Sequence, residues 1–265
     1  MKRSPTVSVL MACYNSESTL NGSIKSILNQ TFNDFEFIIV DDFSSDATLK
    51  IIRKFAKRDS RIIVLRNSEN RGLAYSLNFA FSKSTGTLIA RMDADDCSIS
   101  SRLEIQVKHF FENRKLSVLG TSAIYHNESN GAIDVKLVEM PLTHQEIIKY
   151  MYKSSPFIHP SVMMSREFFE TTGGYEETLR RAQDYDLWLR GREIGVYQNL
   201  SQPLLVYRLD IDKSHKAIFQ TFILKIKSRP SFREFIIGTV YSIYEVFKVI
   251  KIIVFGQLWG RQRKL

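Results

Sequence analysis

Four short, nearly unbroken apolar runs punctuate the first hundred positions: VSVLMAC (7–13), FEFIIV (35–40), RIIVLR (61–66) and TLIARM (87–92). Runs of this length, rich in Val and Ile and bounded by polar residues, read as strands buried on both faces. Between them the apolar spacing becomes that of a helix. Leu20, Ile24, Ile27 and Leu28 share one helical face; Leu49, Ile52 and Phe55 share another behind a cap at Asp46; a third helix spans 73–82. Strands alternating with amphipathic helices predict a parallel sheet covered on both sides.

Beyond this point the pattern changes. Ser101 precedes Glu104 by the spacing of a capping box, predicting a helix to about Asn113. LSVLGTSAIY (116–125) reads as a strand. After Met140-Pro141 the runs are shorter: a helix near 144–152, the segment PSVMMS, Gly173-Gly174-Tyr175, and a helix from about Gln183 to Glu193. This half reads as α+β, without internal repeats. Pro230 separates two helices of the tail. In the second, Glu234, Gly238, Ser242, Glu245 and Lys248 form one polar stripe against a broad Phe, Ile, Val and Tyr face.

Charge divides the chain at the same place as pattern. Residues 213–265 hold eleven Lys and Arg against two acidic residues, whereas residues 1–212 hold 26 of each. The expected organisation is therefore a body of 1–212, with a nucleotide-binding half at about 5–100 and an acceptor half at about 101–212, followed by a basic amphipathic helical tail, 213–265. Glu245, Lys248 and Lys251 interrupt the apolar length that a membrane crossing needs. Basic residues flanking an amphipathic helix instead suit the surface of an anionic membrane. A helix that packs on the body, or joins two copies into a homodimer, is the competing reading. Nothing in the body supports nucleic acid as a partner. Cys13 and Cys97 are too few for a disulfide framework, and no Cys/His cluster offers a zinc site. The run after Met1 passes early into polar Tyr14-Asn15-Ser16, as a first strand does and a signal peptide does not. The expected compartment is cytoplasmic, with peripheral attachment to the inner face of the cell membrane.

Ligands of such sheets bind beyond the carboxyl ends of the strands. Three polar clusters fall there: Tyr14-Asn15, Asp41-Asp42, and the triplet Asp93, Asp95 and Asp96. No G-x-G-x-x-G follows the first strand and no G-x-x-x-x-G-K-[ST] occurs, which argues against dinucleotide-binding dehydrogenases and P-loop NTPases. Asp42 can accept from a base N–H and Tyr14 can stack on the ring, with Arg71 beside them, although the same residues also make an ordinary turn and loop. A Mg²⁺ or Mn²⁺ ion carrying substrate phosphates needs only one or two protein carboxylates, which Asp93-x-Asp95 supplies. Spacing alone leaves the triplet open between such a site and a solvated turn.

The segments VSVLMACYN, QTFNDFEFIIVDDFSSDAT, NRGLAYSLN, ARMDADD, HPSVMMSRE, GGY and QDYDLWLR occur in that order. Together they resemble glycosyltransferase family 2 on the GT-A fold, in particular bacterial enzymes of surface-polysaccharide assembly, over about residues 5–210. The resemblance implies a nucleotide-sugar-binding mixed sheet flanked by helices. It also implies an inverting transfer of a hexose or N-acetylhexosamine from a UDP-sugar, with Mn²⁺ or Mg²⁺, to a saccharide or lipid-linked saccharide of O-antigen, capsule or lipooligosaccharide. By the same resemblance Ala12 and Tyr14 border the uracil, and Asp42, with Asp41 beside it, holds the uridine. Asp93, Ala94 and Asp95 form the D-x-D, with Asp95 the main metal ligand. Asp184 is the general base, and His159 lies on the acceptor side. Two residues depart from the family pattern: Gln183 replaces the common Glu before the base, and Phe43 replaces the usual Gly after the paired aspartates. Segment 125–155 carries no motif. The rival readings are a non-catalytic nucleotide-sugar-binding relative and a nucleotidyltransferase. The latter would need a Gly-rich basic loop where this chain has Tyr14-Asn15-Ser16-Glu17.

Overall fold

The four apolar runs form β1 (Val7–Cys13), β2 (Phe35–Asp41), β3 (Ile62–Arg66) and β4 (Leu88–Arg91), paired in parallel in the order β3-β2-β1-β4. In this computed structural model the described residues are 4–129 and 132–208. The strands alternate sides, as a two-residue period requires. Val9, Met11, Phe37 and Ile39 face α1 (Leu20–Leu28), α2 (Thr48–Ala56) and α4 (Arg102–Glu112). Leu10, Ile38 and Val40 join a second core with α3 (Leu73–Ser82). Complete burial of such side chains contributes about 1.5–3 kcal/mol each before entropy is counted. Register brings the strand ends into line: Cys13 lies opposite Asp41, and Asp41 opposite Arg66.

The sheet continues through the second half with mixed pairing. Among the described residues are β5 (Cys97–Ser98), β6 (Val118–Ser129), β7 (Ala132–Val138), β8 (Met163–Ser165) and β9 (Tyr197–Arg208). β8 pairs antiparallel with β4 and β6, β9 runs parallel to β6, and β5 closes antiparallel on β9. The path is β3-β2-β1-β4-β8-β6-β9-β5, with β7 on β6. Helices α5 (His144–Met151), α6 (Arg166–Thr171) and α7 (Gln183–Gly191) follow the mixed strands. Ile147, Met151, Phe168, Phe169, Leu187 and Trp188 extend the second core.

Two local expectations need correction. Ser101 precedes α4, but at ψ 0° its hydroxyl caps nothing, and Glu104 accepts from Thr31 Oγ1 at 2.6 Å instead. The capping box forms at Thr143 and Glu146, ahead of α5. Asp46 does accept the Thr48 N–H at 2.9 Å, one residue ahead of the Ala47 cap. The expected tail helices and the boundary at 212 lie outside the described residues. No helix among the described residues is long and apolar enough to cross a membrane.

Candidate active site

The loop after β4 is held from below by α1. Thr19, Ser23, Ser26 and Gln30 recur at helical spacing along one edge. Thr19 Oγ1 donates to Ala94 O (2.9 Å), Ser23 Oγ to Asp93 O (2.6 Å) and Gln30 Nε2 to Ile99 O (2.8 Å), while Ser26 Oγ accepts from Ser98 N (3.0 Å). Ala94 is buried, so its side chain anchors the turn while the carboxylates on either side project. Oxygen atoms of Asp93, Asp95 and Asp96 lie within 4.8 Å of one another, with Asp95 exposed, Asp93 half-buried and Asp96 buried. Asp93 pairs with the buried guanidinium of Arg91. Asp96 Oδ1 accepts from Arg208 N at 2.9 Å, and its other oxygen has no hydrogen-bond partner. Burial, then the charges of Asp93 and Asp95, push its carboxyl up to about 8, against the pull of Arg208 N–H and Arg91. Three clustered carboxylates facing one buried cation form a hard oxygen donor set that fits Mg²⁺ or Mn²⁺.

At the β2 end, Asp41 and Asp42 are buried. Asp41 meets Arg66 Nε at 3.2 Å. Asp42 accepts from Asn67 Nδ2 (2.7 Å), Arg71 N (2.8 Å) and Gly72 N (2.8 Å), so its carboxylate pins the loop ahead of α3. Asn67 was not apparent from sequence. It also donates to Ser76 and is buried, fixing the carboxylate from α3. Above this floor two aromatics stand in solvent, Tyr14 (53 % exposed) and Phe43 (48 %), while Ala12 is half-buried at the end of β1. Phe43 has a left-handed backbone, with φ +64°, and Arg66 sits 5.4 Å from its ring centre. The Arg71 guanidinium lies over Tyr75 at 4.1 Å.

In the second half of the fold, Asp184 stands in the first turn of α7 and accepts from Ser155 Oγ at 3.3 Å. Burial raises its carboxyl above the ordinary value, against the opposing pull of backbone N–H groups, Ser155 and the charge of Arg91. Asp186 instead pairs with Arg190 at 2.8 Å. His159 shares a 2.8 Å hydrogen bond with the Tyr175 hydroxyl, and burial followed by the Arg91 charge holds it well below the usual range, so it is neutral. Tyr175 in turn feels both Asp184 and Asp93. Trp188 is fully buried and packs edge-on to Phe157. Buried Arg102, at the start of α4, donates to Pro160 O (2.7 Å) and Arg91 O (3.1 Å), tying the His159 turn to the end of β4. The structure thus gathers the triplet, Arg91, His159, Tyr175 and Asp184 around one region, with Tyr14, Asp41, Asp42 and Arg71 along the adjoining strand ends.

Residues 8–173 match the family described as glycosyl transferase family 2. An O-antigen biosynthesis glycosyltransferase of Escherichia coli, WbnJ, is 34 % identical over 215 residues, covering 80 % of this chain and 82 % of its own. The amylovoran biosynthesis glycosyltransferase AmsE of Erwinia amylovora is 28 % identical across 89 % of this chain and 91 % of its own. Among solved structures, S. aureus TarS 1–349 in complex with UDP-GlcNAc superposes with a TM-score of 0.68 at 20 % identity, over 84 % of this chain and 66 % of that one. The mannosyltransferase PcManGT of Pyrobaculum calidifontis, in complex with GDP-Man and Mn²⁺, gives 0.66 at 19 % identity over 91 % and 70 %. These likenesses establish a GT-A glycosyltransferase fold.

Proposed function

The chain belongs to glycosyl transferase family 2, and from that premise we propose that it is an inverting hexosyl- or N-acetylhexosaminyltransferase. It takes its sugar from a UDP donor and passes it to a saccharide, lipid-linked, in bacterial surface-polysaccharide synthesis. The observation that carries this reading is the convergence of the Asp93-Asp95-Asp96 cluster and Asp184 around Arg91 and Tyr175. Relatives named for O-antigen and amylovoran synthesis, and the UDP-GlcNAc complex of TarS, support the donor and pathway class.

Tyr14 stacks on the uracil beside Ala12. Asp41 and Asp42 form the floor, and Asp42, with three protein donors in place, keeps about one acceptor position for a base N–H. Arg71 faces the nucleotide from the loop that Asp42 pins. Asp95 and Asp93, with Asp96 behind them, would hold Mn²⁺ or Mg²⁺. When bound, the ion neutralises the charge that develops on the departing diphosphate. Asp184 removes the proton from the attacking acceptor hydroxyl. As the new bond to the anomeric carbon forms, the bond to the phosphate oxygen on the opposite face breaks, UDP leaves and the configuration inverts. General-base help of this kind contributes roughly 10²–10⁴-fold. His159, neutral and hydrogen-bonded to Tyr175, lines the acceptor side without changing charge. Residues 213–265 attach the protein to an anionic membrane where a lipid-linked acceptor resides.

UDP release from a panel of UDP-sugars with Mn²⁺, with and without acceptor, tests the reading. No metal-dependent turnover of any donor, alongside Mn²⁺-dependent UDP binding, would leave the non-catalytic relative standing.

A further inference from the structure

The end of α5 and the residues around it border an open cleft of about 530 Å³. Its size is that of small-molecule sites. Glu139, Pro141, Leu142, Lys149, Tyr150 and Lys153 line its walls, and Ser122 and Ser201 its sheet side. Building on the transferase reading above, we infer that this cleft binds a neutral sugar unit of the acceptor chain, adjacent to the unit that reacts.

Three observations converge on it. The β6–β9 register shifts on both sides of Ser122: Thr121 pairs with Leu200 and Ser122 with Pro203, which leaves Ser201 and Gln202 bulged. Bulges beside sites re-aim side chains. The wall chemistry is that of a sugar contact. Pro141, exposed Leu142 and the Tyr150 ring offer apolar area to C–H faces, while Lys149 and Lys153 are balanced by Glu139 and Glu146. Balanced charge favours hydroxyls over a phosphate or carboxylate. Finally, the wall is tied to the base: the Tyr185 hydroxyl donates to Met151 O, and Ser155 donates to Asp184 at 3.3 Å. The last turn of α5 and the residues after it therefore face the cleft on one side and brace the first turn of α7 on the other.

Saturation-transfer NMR on the full chain, with maltose, cellobiose, lactose and N,N′-diacetylchitobiose as probes, tests the inference. At least one disaccharide should bind, and saturating UDP with Mn²⁺ should not displace it. Binding should be about tenfold weaker in Tyr150→Ala and in Leu142→Arg, the latter at an exposed position where folding is not at risk. No binding by any probe, displacement by UDP, or affinity unchanged in both variants overturns the cleft. UDP binding in the same samples separates the two readings. A chain that binds UDP but no disaccharide loses the cleft alone, and a chain that binds neither loses the donor reading as well.

Discussion

The carboxylate of Asp42 receives the backbone N–H of Gly72 at 2.8 Å, joining the end of β2 to the loop that opens α3. Gly72 has φ +87°, and a Cβ there would meet Arg180 Nη1 at 2.8 Å. Asp42→Ala would leave the N–H groups of Arg71 and Gly72 and the Asn67 amide without their acceptor, at about 1–3 kcal/mol each and not additive. Urea unfolding should show a loss of about 3 kcal/mol or more. Asp42→Asn, which keeps one acceptor oxygen, should lose less.

The triplet's members should separate in their effects. Arg91 is buried and Asp93 is 27 % exposed, so Asp93→Ala strands a buried cation. Breaking a buried pair costs about 3–5 kcal/mol; partial solvent access at Asp93 puts the expected loss near the lower end. Asp95→Ala should leave the fold intact, read by circular dichroism, and abolish Mn²⁺-dependent UDP binding. Equal UDP affinity in Asp95→Ala and the parent protein would return the triplet to a solvated turn.

For the base, Asp184→Asn should cut kcat by about 10²-fold or more with donor affinity retained. Burial raises the Asp184 carboxyl, and only its deprotonated form accepts a proton. The kcat–pH profile should therefore fall on the acid side at a pH above the ordinary aspartate value of about 3.9, and this limb should vanish in Asp184→Asn. Asp186→Asn, which breaks the pair with Arg190, should leave the limb in place. A larger loss of kcat in Asp186→Asn would exchange the two assignments.

Phe43 offers a balance of small effects. Glycine would relieve left-handed strain of about 1–2 kcal/mol but lose the Arg66 contact, about 0.5–1 kcal/mol, and gain unfolded-state freedom of about the same size. Phe43→Gly should thus move stability by less than about 1 kcal/mol. Because the ring stands in solvent beside the nucleotide floor, isothermal titration of UDP against both forms reads whether it also contacts the base.

Removal of residues 213–265 tests the tail. The full chain should co-sediment with anionic vesicles, less so as salt screens exposed charge over about 8 Å at physiological ionic strength. The chain ending at Asp212 should not sediment, yet should still bind UDP. A tail that packs on the body or joins two copies predicts the reverse: a lower melting temperature or a smaller assembly on truncation, and no vesicle binding.

The first four strands were legible because each is a single apolar run, buried on both faces in β1, β2 and β4 and half-buried in edge strand β3, and Val7–Cys13 appears as read. β9 was not: Tyr197–Arg208 mixes Asn199, Ser201, Gln202 and Pro203 into its length, since it bulges at mid-strand and is solvated there. The carboxylates of the site were legible as clustered charge at strand ends. Their supports were not. Arg91 and Arg102 carry charges that periodicity treats as surface, yet both are buried: Arg91 pairs with Asp93 two residues on, and Arg102 donates to Pro160 O from across the fold. The Thr19-Ser23-Ser26-Gln30 edge was hidden because only the apolar face of that helix was counted, although its spacing of three to four was there to find.

The bond from Arg208 N to Asp96 spans 112 residues, and β5 next to it pairs with β9. A ribosome adding about 5–20 residues per second needs on the order of ten seconds to supply that closing strand after the aspartates emerge. Throughout that interval β1 to β4 can already pair, but the acidic loop has no lid of backbone on its far side. On the proposed reading, the nascent protein would hold a finished nucleotide floor and an unfinished cation cradle, and catalytic competence would arrive as one of the last events of synthesis of the body. A chain stalled or cleaved before residue 208 should fold in its first half and bind cations poorly.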